Sequence, residues 1–195
     1  FSNASMSLRP PLSRRAFLAA MPSLLLWSHV VDAAPPLNDV GPPLMLANRW
    51  RDAFDPADFW VSEKLHGVRA HWDGRRLRFR SGVTIQAPAW FTAALPPRPL
   101  DGELWLGRGR FEDLSGLVRR EQPDEVKWRE VRYMVFDLPG ESGSFGERVV
   151  RMRALAADAV RKTPWLQAVE QFRVRDRAEL AVRLDRVVAG GGEGL

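Results

Sequence analysis

Residues 59–82, FWVSEKLHGVRAHWDGRRLRFRSG, hold the stretch that decides the fold. Phe59 to Glu63 reads as a strand, rich in aromatic and β-branched side chains. Val68 to Trp72 alternates apolar and polar residues, Asp73-Gly74 is a hairpin turn, and Leu77 to Ser81 returns as the partner strand. Between the first strand and the hairpin stands Lys64, followed by Gly67 and Arg69. A lysine amine is a poor nucleophile while protonated and a good one when desolvated or set beside another cation. Gly67 permits close backbone approach to a phosphate, and a turn there folds Arg69 back towards Lys64. Taken alone, the trio is equally compatible with a solvated surface charge.

Working outward, Pro88 to Leu95 fits a short helix, and Leu100 to Leu106 a strand interrupted by Gly102. Glu112 to Arg120 has helical spacing, with Leu114, Leu117 and Val118 on one face. Val131 to Phe136 is an apolar, β-rich run ended by Asp137-Leu138-Pro139-Gly140. Phe145 to Arg161 is predicted helical, with Val149, Met152, Leu155, Ala156 and Ala159 as its buried stripe. Asp176 to Val188 is a second long helix, with Asp176 as N-cap, Glu179 three residues on as in a capping box, and Gly190 past the end. Strands and helices mix without strict βαβ repetition, so the fold class expected is α+β rather than a doubly wound sheet. There is no internal repeat and no low-complexity segment.

Composition narrows the chemistry. The chain has 195 residues, 45% of them apolar and 27% charged, which suits one domain with a proper core and excludes wholesale disorder. The absence of cysteine excludes disulfide scaffolds, thiolate zinc sites, iron–sulfur clusters and cysteine nucleophiles. Three histidines, His29, His66 and His71, argue against a His-rich metal centre. The net charge of +5 leans towards an anionic partner such as nucleic acid or phosphate. Of the 29 basic residues only Lys64, Lys127 and Lys162 are lysine. Arginine keeps its proton in proteins, so amine chemistry has three candidates.

The ends read differently from the middle. Residues 1–5 (FSNAS) resemble a protease-site scar ahead of Met6. Residues 6–34 read as a secretory signal peptide: Arg9, Arg14 and Arg15 form a basic region, Ala16 to Trp27 an apolar stretch too short to span a bilayer, and Val31-Asp32-Ala33 places small residues at a cleavage-site spacing. Ser13-Arg14-Arg15-Ala16-Phe17-Leu18 resembles a twin-arginine signal, and periplasmic export is the expectation. An amphipathic helix of the folded domain is the alternative. Without residues 1–34 the chain keeps 26 basic and 23 acidic residues, a net +3. Pro35 to Pro43 is a Pro-rich lead-in. At the other end, Gly190-Gly191-Gly192-Glu193-Gly194-Leu195 reads like the entrance to a strand, so a truncated domain spanning 35–195 is expected.

Three stretches besides Lys64 carry chemistry. Leu100-Asp101-Gly102-Glu103-Leu104 puts Asp101 and Glu103 on one face of a strand. Phe136 ends a buried strand with an aromatic ring, and Glu193 adds a carboxylate between glycines. A lysine nucleophile, carboxylates for a divalent cation and an aromatic platform are what nucleotidyl transfer to lysine requires. Each piece has a bland reading: Phe136 as core, Asp101 as a turn former, Glu193 as surface. Their order and spacing favour the chemical one.

In combination these stretches resemble the covalent lysine nucleotidyltransferases, specifically the minimal, signal-bearing ATP-dependent DNA ligases of Gram-negative bacteria (Lig E type). The family's Lys-x-Asp-Gly-x-Arg motif corresponds to Lys64-Leu65-His66-Gly67-Val68-Arg69 and its Ser-Arg-x-Gly to Phe79-Arg80-Ser81-Gly82. Asp101-Gly102-Glu103, Phe136-Asp137-Leu138-Pro139 and Glu193-Gly194-Leu195 match the next three motifs. Ala87-Pro88-Ala89-Trp90-Phe91 and Gly109-Arg110-Phe111-Glu112 also resemble this subgroup, and the likeness covers about residues 44–195. It implies an adenylation domain of antiparallel and mixed sheets flanked by helices. It implies that Lys64 attacks the α-phosphate of ATP to form lysyl-AMP. Arg69 and Arg80 then hold ribose and phosphate, Glu103 binds the ribose, Phe136 stacks on adenine, and Glu193 helps hold Mg2+ or Mn2+. The implied partner is nicked double-stranded DNA, bound by a monomer with no membrane span and with strong salt dependence.

Two departures bear on this. His66 stands where the family has Asp, as in some RNA ligases. The family's last catalytic motif, which brings lysines to the α-phosphate, and its OB-fold lie beyond the Glu-Gly motif. The 195 residues alone are therefore expected to seal nicks poorly or not at all. An RNA ligase, a capping-type guanylyltransferase, a degenerate non-catalytic nucleic-acid-binding remnant and an exported phosphate-ligand binder are the competing readings. A signal peptide opposes the capping enzyme, because an exported protein meets no nascent mRNA.

Overall fold

A computed structural model describes residues 44–46 and 54–195. The scar, the signal peptide and the lead-in read above lie outside the described residues. Among those described, no helix is long and apolar enough to cross a membrane.

The hairpin forms where the alternation demands it. Strand β2 (Val68–Trp72) pairs antiparallel with β3 (Leu77–Phe79), with Trp72 opposite Leu77. Asp73 Oδ1 accepts from the backbone N–H groups of Arg75 and Arg76, closing the turn. The other edge of β2 pairs with β4 (Leu100–Trp105), which pairs with β5 (Arg132–Asp137). A parallel strand, β6 (Leu166–Ala168), completes a five-stranded sheet in the order β3-β2-β4-β5-β6. The expected strand at 59–63 is shorter, β1 (Val61–Ser62), because its partner β7 (Gln171–Phe172) is itself two residues long. Neither β6 nor β7 is long enough to show alternation in the sequence.

One face of the large sheet is apolar. Val68, Ala70, Leu100, Leu104, Tyr133 and Val135 are buried on it. The helices α1 (Ala89–Ala93), α2 (Phe111–Val118) and α3 (Phe145–Ala159) cover it with Phe91, with Leu114, Leu117 and Val118, and with Met152. Each such side chain contributes about 1.5–3 kcal/mol by leaving water. The expected stripe of α3 holds in part: Val149 and Met152 are buried, while Leu155 and Ala159 pack at the core's margin. This helix starts with a capping box, Ser144 with Glu147, that the sequence reading passed over. The last helix, α4 (Arg177–Ala189), is capped by Asp176, which accepts from Glu179 N–H at 2.8 Å. The reciprocal bond of a capping box goes elsewhere, since Glu179 accepts from Arg175 N–H instead.

Tyr133 shows why a glycine stands in the middle of β4. Its hydroxyl lies 2.9 Å from Ala70 O and 3.0 Å from Leu100 O, beneath the sheet's centre. A Cβ on Gly102 would stand 2.8 Å from the Tyr133 ring and 2.6 Å from Met134 O. Only glycine lets β4 and β5 close over that ring. At the same place the ladder shifts register: Gly102 faces Val135 and Asp101 faces Asp137. Phe136 is the extra residue of a β-bulge, a device that re-aims a side chain.

Candidate active site

The polar face of the sheet carries three of the residues singled out in the sequence, Arg69, Asp101 and Glu103. Arg69 on β2 lies opposite Glu103 on β4, and its side chain reaches diagonally to Asp101. Nε donates to Asp101 Oδ1 at 3.1 Å and Nη2 to Oδ2 at 2.6 Å, with a further bond from Nη2 to Met45 O. The guanidinium carbon also sits 5.4 Å from the centroid of the Phe136 ring. The Asp101 bond pushes the Arg69 pKa up. Burial lifts the Asp101 carboxyl above its ordinary value against the pull of Arg69, while the two-point contact requires the carboxylate form. Arg69 is therefore turned to Asp101 and Phe136 rather than back to Lys64.

Phe136 is held from behind. Its neighbour Asp137 accepts from Arg148 Nε at 2.8 Å, and Phe136 O accepts from Gln171 Nε2 at 2.8 Å. Arg148 and Gln171 escaped the sequence reading, because nothing local in the sequence ties them to a motif 11 and 35 residues away.

Gly67 has a packing reason for being glycine. A Cβ there would lie 2.3 Å from Leu104 O and 2.8 Å from Glu103 Cγ, so the residue is small to let the Lys64 loop lie against β4. Its N–H donates to Glu103 Oε1 at 2.6 Å. Burial, reinforced by the charge of Glu193, holds the Glu103 carboxyl above its usual range, with the Gly67 bond opposing. His66, beside it, stacks on Phe111 at the start of α2, with centroids 4.5 Å apart and planes at 13°. The histidine thus has a partner of its own.

Lys64 lies past the end of β1. Its backbone N–H donates to Gly194 O at 2.8 Å in an isolated antiparallel bridge, and its ammonium pairs with the Glu193 carboxylate. The lysine side chain is 61% exposed, open to an incoming ligand. Residues 129 positions apart are thereby brought together.

Arg80 is exposed on the turn after β3 and lines an open cleft of about 750 Å³ with Gly67, Arg69, Phe111 and Arg119. Lys64, Glu103, Phe136 and Glu193 lie outside that lining. The site thus has two adjoining parts: Lys64 with Glu193 in one, Arg80 with Arg119 in the other, and Gly67 and Arg69 between them. Among the described residues no group of three or more His, Asp or Glu side chains is gathered to hold a metal ion.

With its lysine–carboxylate pair beside a sheet that bears a bulged phenylalanine and an Asp-Gly-Glu strand, the chain has the fold of the nucleotidyltransferase domain of DNA ligases. The Chlorella virus DNA ligase-adenylate shares that fold at a TM-score of 0.54 and 18% identity, over 68% of this chain and 51% of that one. By sequence the chain is similar to the minimal Lig E DNA ligases. A Lig E structure, described as DNA binding with a minimal scaffold, matches at a TM-score of 0.70 and 39% identity, over 77% of this chain and 59% of that one. A DNA ligase of Haemophilus influenzae is 34% identical over 153 residues, 78% of this chain and 55% of that protein. The chain thus spans a little over half the length of these relatives. No protein-family model matches it.

Proposed function

We propose that this chain is the lysine-adenylating part of an ATP-dependent DNA ligase. The observation that carries the reading is the pairing of Lys64 with Glu193 across a backbone bridge to Gly194, next to the Arg69–Asp101–Phe136 cluster. Motifs from both ends of the domain meet at one lysine.

The Lys64 ammonium first leaves Glu193 and loses its proton, since a protonated amine has no lone pair to give. The amine then attacks the α-phosphorus of ATP. A P–N bond forms, the P–O bond to the β-phosphate breaks, and pyrophosphate departs with the electron pair. An oxygen of a 5′-phosphate at a DNA nick next attacks the AMP phosphorus, the P–N bond breaks, and the Lys64 nitrogen regains a proton. The neighbouring 3′-hydroxyl attacks the 5′-phosphorus, AMP leaves, and the phosphodiester is closed. Glu103 binds the ribose, Phe136 stacks on adenine, and Arg69 and Arg80 bind ribose and phosphate, electrostatic work of the kind such transition states need.

Mg2+ is commonly held by one or two carboxylates together with substrate phosphates, so the partly exposed Glu193 carboxylate beside Lys64 is the residue that would hold it. When bound, the ion offsets charge on the phosphates.

The relatives are DNA ligases, which favours DNA over RNA as the polynucleotide. The basic, apolar and small-residue order of residues 6–34 supports export to the periplasm. The test is intact mass after incubation with ATP and Mg2+, with Lys64→Ala as control. An AMP-sized adduct in the wild type alone supports the reading. Its absence would favour a binding protein without catalysis.

A further inference from the structure

Lys64 and Glu193 belong to two segments that have little of their own to hold them. β1 is two residues long, and the stretch after α4 is nearly all glycine. One side chain spans both. Arg108, in the loop between β4 and α2, donates from Nε and Nη2 to the Glu63 carboxylate at 2.9–3.0 Å and from Nη1 to Gly190 O at 2.8 Å. All three of its nitrogens are used. Glu63 immediately precedes Lys64, and Gly190 opens the segment that ends in Glu193 and Gly194.

The glycines around this contact are shaped to it. A Cβ on Gly190 would lie 2.7 Å from Arg108 Nη1, and one on Gly192 would lie 2.9 Å from Glu63 Oε1 and 2.5 Å from Val187 Cγ1. Arg108 itself stands between Gly107 at φ 117° and Gly109 at φ 72°, backbone conformations that glycine adopts readily.

We propose that Arg108 is a positioning residue for the Lys64–Glu193 pair, an inference that rests on Lys64 being the adenylated lysine. It ties the Glu63–Lys64 and Gly190–Gly194 segments into one unit, so that lysine and carboxylate keep a common frame when nucleotide enters. Arg108 touches neither Lys64 nor Glu193 directly, so its effect falls on the rate of transfer and not on ATP capture. Its side chain is 39% exposed, and exposed pairs contribute little to stability, so removing it leaves the fold standing.

The experiment is single-turnover formation of the AMP adduct across ATP concentrations, in wild type, Arg108→Ala and Arg108→Lys, with thermal melting and hydrogen exchange of residues 190–195 alongside. For Arg108→Ala the rate at saturating ATP should fall about 10- to 100-fold, the range that small misplacement of a reacting group produces. Half-saturating ATP should change less than about threefold, the signature of a lost transition-state rather than a lost ground-state contact. Exchange at 190–195 should quicken while the melt hardly moves. Arg108→Lys keeps a charge against Glu63 but not the forked contact, and should recover part of the rate. An adduct formed by Arg108→Ala at the wild-type rate overturns the inference alone. So does a loss confined to half-saturating ATP, or an Arg108→Lys variant no faster than Arg108→Ala. No adduct in wild type removes the reading of Lys64 and the inference with it.

Discussion

Arg69 and Asp101 form an ion pair of unequal members: the carboxylate is wholly buried while the guanidinium side chain remains 21% exposed. The consequence of breaking the pair therefore depends on which half is removed. Arg69→Ala strands a carboxylate with no access to water and should cost about 3–5 kcal/mol. Asp101→Ala leaves a guanidinium that can turn to solvent and should cost less, about 1.5–3 kcal/mol. Urea unfolding of both variants checks this. Equal losses, or a larger loss for Asp101→Ala, would show that burial of Asp101 is not what sets the energetics.

Glu103 gives a pH dependence whose sign follows from its raised pKa. In the folded state the carboxyl keeps its proton to a higher pH than in the unfolded chain, for which the reference is 4.5. Between those two values the folded state holds more protons than the unfolded one, so stability falls as pH rises through the window and the penalty stays at higher pH. Glu103→Gln keeps an oxygen for the Gly67 N–H but has no charge to bury. Its stability relative to wild type should therefore rise as pH climbs from below 4.5 to neutrality. Unfolding free energies of the two proteins across that range measure it, and parallel curves would defeat the prediction.

The hairpin and its Lys64 approach are legible because period-two alternation and an Asp-Gly turn are local signals. The convergence of Arg69, Asp101 and Glu103 follows from the same alternation, since i and i+2 share a face. What could not be read depends on distant chain. Phe136 owes its aim to a bulge fixed by the register against Asp101 and Gly102. Gly67 lies against Leu104 O, 37 residues on, a packing demand that no local signal announces. β6 and β7 are three and two residues long, held by pairing with β5 and β1 rather than by their own pattern. Arg108 stood beside a stretch recognised as family-like, yet its partners Glu63 and Gly190 lie 45 and 82 residues away.

Two glycines give opposite expectations under the same substitution. Gly102→Ala drives a Cβ into Met134 O at 2.6 Å and Val135 Cα at 2.9 Å, both backbone, with the Tyr133 ring blocking retreat. Overpacking of this kind should cost about 1–3 kcal/mol or more and pull Glu103 away from its place opposite Arg69. Gly116 is exposed on α2, with nothing within 4 Å of its added Cβ. Gly116→Ala should stabilise by about 0.5–1 kcal/mol through helix propensity. Thermal melts of the pair decide the matter, and a destabilised Gly116→Ala would mean that the α2 backbone is not the regular helix described.

The cleft beside Arg69 makes a prediction about salt. Arg80 and Arg119 both line it and both are exposed. If they meet phosphates of nicked DNA, each releases condensed counterions on binding, and each contact adds about 0.9 to the slope of log affinity against log salt. Arg80→Ala and Arg119→Ala should each lower that slope by about one contact's worth, and the double variant by about two, whatever the DNA sequence. Lys162→Ala, just past the C-terminal end of α3 and outside the cleft lining, serves as a charge-matched control, because a purely global effect of net charge would lower the slope there too. Fluorescence anisotropy with a nicked duplex over a series of salt concentrations gives the slopes. Slopes unchanged in the two cleft variants, or lowered equally in the control, would take the DNA away from this cleft while leaving the lysine chemistry at Lys64 to be judged by its own adduct.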